Sequence, residues 1–353
     1  MKRLRIRPIL SIILLAAVIL SLGCKAKNEN NYYIFGPPQN REELSNLFSL
    51  LSDKNNSAEV KFTIVREIAN AFAREKEYGK LIHFLDDHII NYPDDLYNSY
   101  YLLMIAYAYM QKNSLPIAAL YFDIIVKNYP DLTINNESIH LVCLNQLINL
   151  SKNNEQRVLY YQELLSRFSD KIDAGTAWFL LGQTYERIGE WNKAIHAYTN
   201  YQPYTGTIIQ GYPNADNYAR QQVDFYNSPK NWTHENLNIL LASVKEALDS
   251  GDAWQLEQYK AKVNFFTRSW GQNEIDSGGM EDFVLSDFMR GNRIRYADTF
   301  DTSSNSTEAF LRTWDWNQYI STWYLYFRKI YFPSDSEIHG NWEWAGIYYG
   351  EKF

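Results

Sequence analysis

The chain has 353 residues, 34 Lys and Arg against 41 Asp and Glu for a formal net charge of −7, and 46% apolar side chains. That length supports more than one domain with a buried core. An acidic balance with no basic stripe excludes the electrostatic footprint of a nucleic-acid binder, and two cysteines, Cys24 and Cys143, exclude a disulfide scaffold.

Residues 1–24 read as an export signal. Lys2, Arg3, Arg5 and Arg7 form a basic start, residues 9–20 are almost wholly apolar, and Ser21-Leu22-Gly23-Cys24 closes the run. The apolar stretch is shorter than the roughly 20 residues a membrane span needs, and a basic start, short apolar run and small residue form a secretory signal. Gly23-Cys24 resembles the end of a bacterial lipoprotein signal, with Ser21 and Leu22 in the looser arrangement typical of spirochaetes. The resemblance implies a cut before Cys24 and acylation of Cys24 with chains such as palmitate. It also implies a place in the bacterial cell envelope, anchored by lipid and facing the periplasm. Several acyl chains hold a protein on a membrane where one is marginal. An uncleaved anchor, or a cut elsewhere, is the competing reading. Residues 1–23 carry four basic residues and no acidic one, so without them the balance is 30 basic against 41 acidic, a net of −11. Residues 24–40, with several Asn and Gly36-Pro37-Pro38, read as a tether.

Residues 41–201 carry a repeat. Asn91-Tyr92-Pro93-Asp94 returns as Asn128-Tyr129-Pro130-Asp131, 37 residues on, and Arg167-Phe168-Ser169-Asp170 is a weaker third copy. Proline cannot continue a helix, so each copy ends one, and its Asp is suited to capping the next. Periods of this length predict a helical solenoid. Trp178, Leu181, Gly182 and Tyr185 are spaced W-x2-L-G-x2-Y, and Ala194 and Tyr198 follow as A-x3-Y. This resembles the tetratricopeptide repeat (TPR). The same frame from Ser99 places Leu102, Ile105, Ala106 and Tyr109 on a first helix, Ala118 and Phe122 on a second, and Pro130 at the end. A unit from Phe62 carries Val65, Ile68, Ala69 and Phe72, and a degenerate one runs from Ser138 through Leu141, Leu144 and Ile148. Ala69, Ala106 and Gly182 sit where the paired helices must approach closely. Cys143, within Leu141, Val142 and Leu144, reads as a buried structural thiol. Residues 41–51 read as a leading helix.

The TPR resemblance implies a concave face lined by the first helix of each unit. One frame position gives Asn70, Tyr107, Gln146 and Gln183, and another gives Arg66 and Phe179. Amides donate and accept, so they satisfy a peptide backbone without demanding its sequence. These residues are the candidate peptide- or protein-binding set.

Residues 202–233, with Pro203, Gly206, Gly211, Pro213 and Pro229, read as a connector holding one helix at 216–226. Eight of the ten tryptophans follow residue 231, which predicts a second core over 234–353. An amphipathic helix at 234–249 stops at Ser250-Gly251-Asp252, and a short helix passes through Leu256 and Tyr259. Strands are predicted at 283–289, 293–300 and 309–314. The runs around Trp323 and Trp342 predict a hairpin, with Trp342, Trp344 and Tyr348 on one face and Glu343, Ala345 and Tyr349 on the other. This order resembles the NTF2-like cone, and a generic α+β domain remains open. The expected fold is thus an α-helical TPR solenoid followed by a smaller α+β domain.

No catalytic, cofactor or metal motif emerges. His83 and His88 are five apart, whereas a helical metal pair is spaced i,i+4, and they read as satisfied surface residues. Asp287, Asp298 and Asp301 are acidic candidates by location only, and His339 falls in a turn. The expected function is a lipid-anchored scaffold that binds envelope proteins through its repeats, without catalysis. The alternative is a binder of small molecules or lipids through a hydrophobic pocket in the C-terminal domain.

Overall fold

A computed structural model describes residues 30–270 and 283–352. The chain divides into two compact units, one ending at Phe168 and one starting at Ser169; each is described by itself. No helix among the described residues is long and apolar enough to cross a membrane.

The first unit is helical: α1 (Pro38–Leu51), α2 (Ala58–Arg74), α3 (Tyr78–Asn91), α4 (Asn98–Gln111), α5 (Leu115–Asn128), α6 (Ile139–Leu150) and α7 (Asn154–Phe168). Each helix packs on the next, and α2, α4 and α6 also touch as alternate neighbours. Helices α3 and α5 both end on the Asn of an Asn-Tyr-Pro-Asp copy. The Asp of that motif is not the N-cap residue of the following helix, which is Tyr97 for α4 and Ser138 for α6. Asp95 instead accepts from the Tyr97 amide and from His88 Nε2 at 3.0 Å. Ser138 caps α6, and Asp131 braces the Ser138 hydroxyl. An aspartate set back from the helix start fixes the turn, and Asp131 also accepts from the His140 amide in the first turn of α6.

The hairpin turns repeat as well. Lys76 after α2 and Asn113 after α4 are left-handed, with φ of 59° and 56°. Behind them the amides of Glu77 and Ser114 donate to the carbonyls of Phe72 and Tyr109, five residues back. The Lys76 and Asn113 amides donate to the Ala73 and Met110 carbonyls as well, and that double closure is the Schellman motif. Helix α6 ends differently, on an extended Ser151, and its unit was also the degenerate one in the sequence. Between α5 and α6 lies an unpredicted hairpin, β1 (Thr133–Ile134) with β2 (Glu137–Ser138), turned by Asn135 and Asn136 at φ 52° and 65°. Asparagine tolerates both positive angles that such a two-residue turn requires.

Packing begins inside the stretch read as a tether. Tyr33 is buried against Phe48, Phe72 and Phe84, and its hydroxyl donates to Asp87.

The second unit opens with the hairpin α8 (Ala174–Arg187) and α9 (Trp191–Tyr201), closed by the same motif at Gly189, φ 75°. Helix α10 (Ala215–Asn227) packs on α9, with Tyr218 donating to Glu186. Helix α11 (Leu237–Ser250) stops at left-handed Gly251, and Asp252 caps α12 (Ala253–Tyr259) through the Gln255 amide.

A five-stranded sheet follows in the order β3-β7-β6-β5-β4. Strands β4 (Arg295–Tyr296), β5 (Glu308–Trp314), β6 (Trp323–Lys329) and β7 (Trp342–Tyr349) run antiparallel, and β3 (Phe266–Ser269) joins β7 in parallel. One face packs on α11 and α12 with Leu311, Trp323, Leu325, Phe327, Trp344 and Ile347. The other carries Phe310, Tyr324, Tyr326 and Ala345, with Phe266, Trp270 and Tyr348 against them.

Three strand expectations need correction. Residues 285–289 form a short helix, α13 (Leu285–Met289), whose buried Leu285 and Met289 are one helical turn apart. Of the strand expected at 293–300, only β4 pairs. In β7, Tyr326 faces Gly346 and Phe327 faces Trp344, so Ala345 is an extra residue. This bulge shifts the alternation: Tyr348 lies with Ala345, while Tyr349 packs with Trp342 and Trp344.

Candidate functional site

In the first unit the expected binding residues lie on alternate helices. Arg66, on α2, is half-buried with its guanidinium 5.4 Å over the Phe62 ring and beside Glu67. Asn70, one turn on, is also half-buried. Tyr107, on α4, is 37% exposed and stands edge-on to Phe122. Burial raises its phenol above the ordinary value, and the nearby side chain of Gln146, on α6, opposes the rise. The structure therefore brings Tyr107 and Gln146 together. Cys143 nearby is fully buried, and burial pushes its thiol up to about 12, which leaves little thiolate for chemistry.

In the second unit Phe179 is 1% exposed, enclosed by the rings of Tyr198, Tyr201, Tyr212 and Tyr218. Gln183 donates its amide to the Tyr198 hydroxyl at 2.8 Å. Tyr198 in turn donates to Glu186, whose carboxyl burial holds above the usual range. Both residues thus serve internal packing. Cys24 lies outside the described residues.

Of the two histidines read as surface residues, His88 differs from expectation. His83 is exposed, whereas His88 is buried and bonded to Asp95. His140 is buried too, with Nε2 on the Tyr129 carbonyl and Nδ1 accepting from Arg167. Both buried rings brace the proline turns. Among the described residues no group of three His, Cys, Asp or Glu is placed to hold a metal.

The acidic candidates are scattered. Asp287 is exposed beside Arg290, Asp301 accepts from Ser303 within its own loop, and the Asp298 carbonyl accepts from Lys245. His339 Nδ1 accepts from the Phe332 amide and staples the β6–β7 loop.

A polar cleft that the sequence reading did not anticipate lies in the second unit. A cavity of about 410 Å³ is lined by Asn217, Tyr218 and Gln221 of α10 and by Asn264, Phe266 and Arg268 at β3. A second, of about 280 Å³, shares Gln221, Asn264 and Arg328 with it and adds Lys329 and Glu343. Glu343 is the charged centre. It is 1% exposed, and its Oε1 accepts from Arg328 Nε at 2.7 Å. Its Oε2 is buried without a hydrogen-bond partner among the described residues. Burial raises its carboxyl above the ordinary value, against the pull of Arg328. The signal was present in the sequence, because a hairpin register placing Phe-Arg-Lys against Trp-Glu-Trp sets Arg328 opposite Glu343.

No protein-family model matches this chain, and no curated protein matches it.

Proposed function

We propose that this protein is a lipid-anchored adaptor of a bacterial cell envelope, in which a TPR-like array binds an extended segment of a partner protein without catalysis. The observation that carries this reading is the row on α2, α4 and α6. These helices are alternate neighbours, and Arg66, Asn70, Tyr107 and Gln146 keep exposed surface beside the buried Val65, Ala69, Ala106 and Leu147. The repeated turn closures and the buried Ala69, Ala106 and Gly182 support the TPR frame. Helices α11 and α12 against one face of the sheet support an NTF2-like reading of residues 234–353.

Tyrosine is enriched where binding energy concentrates, and Arg66 suits a bidentate pair with a carboxylate. Changing Asn70, Tyr107 and Gln146 together to Ala is expected to remove the envelope proteins that co-purify with the chain after mild crosslinking, with circular dichroism unchanged. Retention of those proteins by a folded triple variant moves the docking surface off this row.

The anchor has its own test. Cys24→Ser is expected to abolish labelling by a palmitate analogue and to release the protein from the membrane fraction; unchanged labelling refutes the assignment. Cys24 is nine residues from the buried Tyr33, and an extended chain spans roughly 3.5 Å per residue. With Cys24 in the bilayer, Tyr33, where the first unit begins to pack, therefore lies within about 30 Å of the membrane surface.

A further inference from the structure

We infer that the cavity where α1 and α3 end and α2 begins is a binding site for a short peptide with free ends: an ammonium, an apolar side chain and a carboxylate. The argument does not depend on the row of α2, α4 and α6.

Helix ends come first. A cavity of about 620 Å³ in the first unit is lined by Leu51, the last residue of α1, by Ala58, the first of α2, and by Asn91, the last of α3. A helix carries partial positive charge at its start and partial negative charge at its end. One start and two ends therefore give the cavity a pole for a carboxylate and a pole for an ammonium. Side chains strengthen both. Lys61, in the first turn of α2, lines the cavity with Lys54, while Glu59 of that turn does not. Asp94, three residues beyond α3, lines it with Asp53.

Those four charges balance, and among the described residues none of them is in an ion pair. Asp53 accepts only from the Asn55 amide, and the remaining acid, Asp95, is held by His88. A simple anion here meets Asp53 and Asp94, and a simple cation meets the two lysines. A ligand with both charges held apart meets each pole with its opposite. Charges of both signs in so small a volume fit the two termini of one short chain.

The neutral wall selects what lies between the ends. Tyr92 and Leu96 line the cavity with 56% and 74% of their surface exposed, which leaves apolar area open beside the charges. The Asn91 amide offers a donor and an acceptor to a peptide bond. The wall is set before binding, because Asn98 donates to the Tyr92 and Pro93 carbonyls and Asp95 accepts from the Tyr97 amide. About 620 Å³ lies within the usual range of small-ligand sites.

The test uses the full-length chain in detergent micelles and saturation-transfer NMR titrations of alanyl-leucyl-alanine. The peptide is offered with both ends free, with its amine acetylated, with its carboxyl amidated, and with both ends blocked. The free peptide is expected to bind, and each single block to weaken it about fivefold, the worth of one partly exposed ion pair. Lys61→Gln is expected to weaken the free peptide about fivefold and to leave the amidated one unchanged. Asp94→Asn is expected to weaken the free peptide equally and to leave the acetylated one unchanged. Neither side chain has an ion pair to lose among the described residues, so both variants are expected to melt with the wild type. Should one melt lower, the four peptides on the wild-type chain decide alone. The inference is overturned if the free peptide gives no transfer, if the doubly blocked peptide binds as well as the free one, or if the folded variants bind the free peptide undiminished.

Discussion

Replacing Trp344 with Ala is expected to destabilise the second unit by about 3–5 kcal/mol, the usual cost of emptying a large buried aromatic site. Trp344 is fully buried in the larger core cluster, edge-on to Phe265 at 5.2 Å. Its indole N–H donates to the Gly346 carbonyl at 3.0 Å, and its own carbonyl accepts from the Ala261 amide. The residue therefore fills the core and also fixes the backbone across the bulge at Ala345. Gly346 cannot relax to compensate, since a Cβ there would meet the Phe266 ring at 2.8 Å and the backbone is already close-packed against β3. Alanine leaves a cavity and removes the indole donor from the Gly346 carbonyl. Trp344→Phe keeps most of the volume, loses the hydrogen bond, and is expected to cost about half as much. Chemical denaturation followed by circular dichroism measures both. A loss below about 1 kcal/mol for Trp344→Ala contradicts the core placement of this side chain.

Legibility in the sequence tracked how local each signal was. Helix ends were readable because proline and the asparagine before it act within a few residues, so α3 and α5 stop where the motif begins. The hairpin of β6 and β7 was readable because two dense aromatic runs flank one turn. Strand β3 was not, because its four residues make no run and its register partner for Thr267 is Ile347, far along the chain. Residues 283–289 deceived through alternation: Phe283 and Leu285 are both buried, two apart, as in a strand. A bulge is silent in a pattern of period two until the partner strand is known, so Tyr348 was assigned to the wrong face. His88 looked like a surface residue because its partner Asp95 lies beyond the turn. The cleft was hidden for a related reason. Its amides sit on α10, in a stretch whose prolines and glycines read as a connector, and they meet Asn264 and Arg328 only through the fold.

The second large effect is expected at Gly182. In α8 this glycine faces Tyr198 of α9, and a Cβ at position 182 would lie 2.4 Å from the Tyr198 ring. No real contact is that short, so the ring or the helix must move. The ring is held. Tyr198 is fully buried, accepts from Gln183, donates to Glu186, and stands edge-on to Tyr218 of α10. Displacing it strips two hydrogen bonds from Tyr198 and leaves the half-buried Glu186 with only Tyr218. Helix propensity works the other way, since alanine is better in a helix interior than glycine by roughly 1 kcal/mol. Overpacking typically costs about 1–3 kcal/mol, so Gly182→Ala is expected to be net destabilising by about 1 kcal/mol. Gly182→Leu drives three further carbons into the same space and is expected to exceed the top of that range, separating α8 from α9. A unit of this size shifts its midpoint by roughly 2–4 °C per kcal/mol. The leucine variant should therefore melt about 6–12 °C lower, while Tyr198→Phe, which removes the hydroxyl and leaves the ring, should melt only a few degrees lower. If Gly182→Leu melts with the wild type, the close approach of α8 and α9 at this glycine is wrong, and with it the frame that places Ala69 and Ala106 at equivalent positions.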